Sequence, residues 1–166
     1  MPLNWEGALV AAIVPLAVRF AWYDSRFLGR FWKDLPGVAR EQSSWGRTSV
    51  IVGLSLALGF LMASIVMPLT IHQIHVFSVV QGDPDYGKES AAVTLWLTDF
   101  MERYGSSYRT FKHGAVHGAI AGLCLATPMV GIGGLFEGRR LKDVLVESSY
   151  WTVTLTLMGA IVCGWK

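Results

Sequence analysis

Four histidines carry most of the metal-ligating chemistry in this sequence: His72 and His75, three residues apart, and His113 and His117, four apart. On a helix these spacings put each pair on one side, and imidazoles from two helices can complete an ion site inside a bundle. Cys124 follows seven residues beyond His117 on the same stripe. No carboxylate stands at ligand spacing within these segments, so the plainer reading is four imidazoles hydrogen-bonded at a membrane interface. A metal ion or a haem is what the cluster would take, since ionisable groups within membrane segments are functional candidates. Otherwise no cofactor is expected.

No other chemistry converges. The apolar segments hold no paired carboxylates, there is no Ser-His-Asp arrangement, and no glycine loop precedes a basic residue as a phosphate cradle would. The expectation is a protein that is not an enzyme.

The elements that must position the histidines follow from composition. Of 166 residues, 52% are hydrophobic and 16% charged, seven are Trp, and the mean hydropathy is +0.43. That excludes disorder and argues against a water-soluble globule. The apolar residues fall in four blocks, and a hydrocarbon core of about 30 Å needs about 20 apolar residues per crossing. Only helices satisfy their own backbone groups economically in lipid. The expected fold is all-α, a four-transmembrane-helix bundle in one integral membrane domain covering residues 1–166, with spans at about 3–23, 49–77, 113–136 and 144–165. The second block runs on to Val80 and must tilt, bend at Pro68 or project beyond the hydrocarbon. The first block has no basic leader before it and reads as a retained span.

Two connections have their own pattern. Val93, Trp96, Leu97, Phe100, Met101 and Tyr104 recur at helical spacing, which predicts an interfacial amphipathic helix at about 91–105, between spans two and three. Gly82, Asp83, Pro84, Asp85 and Gly87 precede it as a loop. Arg26 to Lys33 is a second amphipathic piece. Trp5, Trp22, Trp32, Trp96 and Trp165 stand where aromatic side chains anchor a helix at the interface.

Charge sets the orientation. Arg26, Arg30, Lys33, Arg40 and Arg47 in the first connection and Arg139, Arg140 and Lys142 in the third make eight basic residues on one face. Lys88, Arg103, Arg109, Lys112 and Lys166 make five on the other. Basic residues are retained inside, so the termini are expected outside, in a bacterial inner membrane or a mitochondrial inner membrane. A net charge of +2 is too balanced for a nucleic-acid binder. Cys124 and Cys163, both within apolar blocks, give no disulfide framework.

Gly114, Gly118 and Gly122 form a GxxxGxxxG series on block three, a surface on which another backbone can approach closely. It serves either packing within one chain or docking to another copy or another subunit. Gly53 and Gly59, with Ser55 and Ala63, offer block two as its partner surface. Arg19, near the inner end of the first span, must snorkel or pair, and Glu137 on the same side is the candidate partner for an ion pair. Pro15, Pro68 and Pro128 fall in or near spans, as broken transporter helices do, but the halves show no repeat.

The two outer thirds of the chain resemble a known family. Asn4-Trp5, Val10-Ala11-Ala12, Trp22-Tyr23, Gly29 and Trp32 at the start are similar to the small membrane proteins of domain-of-unknown-function family 1761. So are Gly114 to Gly122, Leu135-Phe136-Glu137-Gly138-Arg139, Tyr150-Trp151 and Met158-Gly159-Ala160 to Trp165 at the end. The resemblance implies a four-span helical protein with no assigned reaction. The middle, Val80 to Phe111, is longer and more polar than that family's pattern and offers a docking surface.

Three functions follow from these readings. The first is a non-enzymatic structural or accessory subunit, partnered by the lipid bilayer and by other membrane subunits or itself. The second is a metal- or haem-binding membrane module built on the histidines. The third is a small-solute carrier.

Overall fold

Asn4 starts the first helix and ties the two ends of the chain together. Its Oδ1 accepts from the Gly7 amide at 2.9 Å, the N-cap arrangement, while Nδ2 donates to the carbonyls of Val162 at 2.9 Å and Trp165 at 2.7 Å. Helix α1 (Trp5–Ala11) stops because Pro15 has no amide for the Ala11 carbonyl. After a turn at Ala12 and Ile13 the chain resumes as α2 (Val14–Tyr23). The first block is therefore one crossing in two pieces rather than the uninterrupted helix expected.

The computed structural model describes residues 3–32, 34 and 45–165. Lys33, Arg40 and Lys166, which entered the charge count, lie outside the described residues. A short 3-10 turn, Leu28–Trp32, follows α2 where the second amphipathic piece was expected. Trp32 donates its ring N–H to the Trp22 carbonyl at 2.8 Å, and Trp22 donates to the Val146 carbonyl at 3.3 Å.

Helix α3 (Trp45–Thr70) begins four residues before the expected span and ends short of it. Pro68 sits in its last turn, and the helix breaks at Ile71 and His72 before α4 (Gln73–Val80). Leu54, Leu58, Leu61 and Ile65 form an exposed stripe along α3, the surface a lipid solvent calls for. Next come α5 (Ala92–Tyr104), α6 (Phe111–Ala121), α7 (Thr127–Phe136) and α8 (Leu141–Gly164). Helix α5 stands where the interfacial helix was expected. Trp96, Phe100 and Tyr104 stack along it at 5.6 and 5.3 Å, and Leu97 is buried.

The third crossing is α6 and α7 joined by a π-helical stretch, Gly122–Ala126. Pro128 lacks an amide and its ring crowds the carbonyl four residues back. The backbone responds by slipping one residue, so the Thr127 amide bonds to the Gly122 carbonyl, joined there by the Thr127 hydroxyl at 3.0 Å. At the end of α7, Arg139 donates its amide to the Gly134 carbonyl at 2.9 Å and Gly138 donates to Leu135 at 3.3 Å. This pair of bonds needs a left-handed residue, supplied by Gly138 at φ +65°.

The protein is all-α among the described residues. Four helices are long and apolar enough to cross a membrane: Trp5–Tyr23, Trp45–Thr70, Phe111–Phe136 and Leu141–Gly164, of 19 to 26 residues. The shortest, at about 1.5 Å per residue, measures about 28 Å. The core lies where α1, α3 and α8 meet, around the fully buried Ala63, Met67, Ile71, Met158 and Val162.

The glycine series packs on α8. A Cβ added at Gly114 would strike the Gly159 carbonyl oxygen, one at Gly118 the Leu155 carbonyl oxygen, and one at Gly122 the Thr152 Cα at 2.5 Å. The block-two surface expected to meet it lies elsewhere. Gly59 packs on the Ala12 carbonyl, and a Cβ at Gly53 would meet nothing within 4 Å. Helix α8 is the partner because its Gly159 is small enough for backbone contact from both sides.

Candidate metal centre

The break after α3 leaves His72 beside the second histidine pair. His72 caps α4 at the kink, and Thr110 accepts from the His113 amide at 3.2 Å to start α6, which places His113 and His117 on successive turns. The three imidazoles cluster. Ring centroids are 5.1 Å apart for His72 and His113, 4.8 Å for His72 and His117, and 4.5 Å for His113 and His117. One ring nitrogen from each lies within 4.8 Å of the others. The Nε2 atoms of His72 and His113 are 3.2 Å apart. Two nitrogens bound at about 2.0–2.1 Å to one tetrahedral ion stand about 3.3 Å apart, so this pair already spans such an edge.

His75 does not join them. Its Nε2 donates to the Pro68 carbonyl at 2.9 Å, filling one of the acceptors left open at the end of α3. The fourth histidine therefore serves the helix end, as the plainer interface reading had it. Cys124 is exposed on the π-helical stretch, apart from the imidazoles.

Several residues that shape the cluster carry no spacing signal. Tyr108 adopts φ +59°, costly for a residue with a side chain, and its ring lies 5.3 Å from that of His113. Its carbonyl accepts from the buried Cys163 Sγ at 3.4 Å, and Arg109 donates to the Cys163 carbonyl at 3.2 Å. Buried Gln73 donates through one Nε2 to the carbonyls of Tyr104 and Ser107, each at 2.8 Å. The segment that delivers His113 is thus held to both α4 and α8. Partial desolvation, followed by the neighbouring His117 and His75, holds the exposed His72 below the ordinary imidazole range, so its ring favours the neutral form that binds metals.

The expected Arg19–Glu137 pair is not formed. Glu137 lies 3.8 Å from Arg139, whose guanidinium also pairs with Glu147, while Arg19 lies over the Tyr23 ring at 4.9 Å. Helices α2 and α7 each pack on α8, while Arg19 meets a ring of its own helix and Glu137 the Arg139 just before α8. Of the expected anchors, Trp5, Trp96 and Trp165 are exposed, and Trp22 and Trp32 stack at 5.6 Å.

Over residues 7–163 the sequence matches the family described as Protein of unknown function (DUF1761). The chain belongs to the DUF1761 family. The match runs through the longer middle segment as well as both outer thirds. No curated protein and no solved structure matches the chain. The DUF1761 description carries no reaction, so chemistry rests on the side chains themselves.

Proposed function

We propose that this integral membrane protein binds one borderline transition-metal ion, of the zinc and copper class, through His72, His113 and His117 at the face where both chain ends meet. The observation that supports this is the convergence of three ring nitrogens within 4.8 Å of one another, two of them already 3.2 Å apart. Imidazole suits these ions, and three protein ligands leave a fourth position for water or an exchangeable ligand. A haem fits poorly: two axial imidazoles on one iron face each other about 4 Å apart across the ring plane. Here the Nε2 atoms of His72 and His113 stand only 3.2 Å apart, with the His117 ring beside both.

Metal content of the purified protein after exposure to zinc or cobalt tests the reading. One ion per chain and the visible absorption of tetrahedral cobalt are expected, lost in His72→Ala and His117→Ala and kept in His75→Ala. Binding that survives all three substitutions would overturn it.

The accessory-subunit reading retains one support, the outward side of α5. Leu95, Trp96 and Tyr104 there are each more than half exposed, and aromatic residues of this kind are enriched at protein contacts. Co-purification with a fixed partner after mild extraction tests it. The glycine series no longer supports docking, because α8 occupies it.

A further inference from the structure

A cavity of about 270 Å³ opens between α2, α3 and α8 near the end of the bundle opposite the histidines. Arg19, Tyr23, Ser55 and Glu147 line it. Glu147 is paired with Arg139. Among the described residues Arg19 has no carboxylate within salt-bridge reach and lies over the Tyr23 ring, and the hydroxyls of Tyr23 and Ser55 make no hydrogen bond. The polar groups left over are therefore a guanidinium and two hydroxyls, all able to donate. Arg19 lies exposed near the end of the first crossing, at headgroup depth, and its fork matches a phosphate.

A second cavity of about 550 Å³ adjoins the first, sharing Met62 and Trp151 as walls. It is a nearly wholly apolar groove between α3 and the π-interrupted crossing, running from Met62 to Leu69 beside Leu125 and Met129. The seven helical rises from Met62 to Leu69 give it about 10 Å of length. A donor-rich pocket continuous with an apolar groove matches a molecule that carries an anionic head and a hydrocarbon chain.

We propose that the two cavities together hold one anionic phospholipid, with its phosphodiester against Arg19, Tyr23 and Ser55 and one acyl chain in the groove past Trp151. The site is separate from the histidines and stands or falls independently of the metal reading.

The test is native mass spectrometry of delipidated protein offered phosphatidylglycerol, phosphatidylcholine with the same chains, or inorganic phosphate. Wild type is expected to retain one phosphatidylglycerol with about tenfold preference over phosphatidylcholine, as a charge-assisted contact provides. Arg19→Gln removes the preference and Arg19→Lys keeps part of it. Leu125→Trp, at an exposed position that adds bulk to the groove, weakens both lipids alike. Equal retention of the two lipids by wild type would overturn the proposal even if no variant folds. So would an undiminished preference in Arg19→Gln, or inorganic phosphate binding as tightly as the lipid, which would leave the groove without a role.

Discussion

The Nε2 atoms of His72 and His113 lie 3.2 Å apart although 41 residues separate them in the chain. His72 stands at the break between α3 and α4, and His113 in the first turn of α6, so two helix ends meet at the imidazole cluster.

His72 makes stability depend on pH in a defined window. Its folded-state pKa is lowered, by partial desolvation first and by His117 and His75 after it, so the unfolded chain takes up a proton at a higher pH than the folded one. The metal-free protein should lose stability as pH falls below about 6.5, until His72 is protonated in the folded state as well. Above that pH the group contributes no slope. Unfolding in detergent between pH 5 and 8 checks this against His72→Asn, which should lessen the loss of stability on the acid side.

Glycines on α6 should separate sharply from those elsewhere. Gly118→Ala forces a methyl onto the Leu155 carbonyl and the Thr156 Cα, both backbone, so α6 and α8 must move apart at a cost of about 1–3 kcal/mol. Gly53→Ala meets open space and should be neutral or stabilising by up to about 1 kcal/mol through helix propensity. Thermal unfolding of the two variants side by side measures the difference.

Asn4→Ala removes a helix cap and two hydrogen bonds to the last turn of α8 in one step. A loss of about 1–3 kcal/mol is expected. Hydrogen exchange should quicken both in Trp5–Ala11 and in the final turn of α8, a pairing that a purely local cap would not produce.

Gln73→Leu keeps the side chain's bulk but leaves the carbonyls of Tyr104 and Ser107 without their donor. The expected result is faster exchange across Ala92–Tyr104 and weaker metal retention, because the segment that delivers His113 loosens. The four membrane crossings should exchange as in wild type.

Much of the architecture could be read from local chemistry. Four apolar runs of bilayer length must be helices, since lipid offers no partner for an open backbone group. The stripe from Val93 to Tyr104 marked α5 because its aromatic residues return every fourth position. Of the three prolines, only Pro68 marked a bend in advance; the break before Pro15 and the slip before Pro128 interrupt blocks that read as continuous. Whether a proline ends a helix, as after α3, or is absorbed by a π-helical slip, as before α7, depends on what packs around it.

Tertiary structure alone decided which surfaces meet. The spacing of Gly114, Gly118 and Gly122 announced a close approach but not that Gly159 and Leu155 would make it. The sequence places Arg19 and Glu137 on one side of the membrane, yet Arg19 lies over Tyr23 and Glu137 beside Arg139. His75 looks identical to His72 as a residue type, and only the open Pro68 carbonyl takes it out of the cluster. Hydropathy and backbone hydrogen bonding act along the chain and are written there. The rotation and crossing of helices arise from interdigitated side chains distant in sequence, and no single segment contains them.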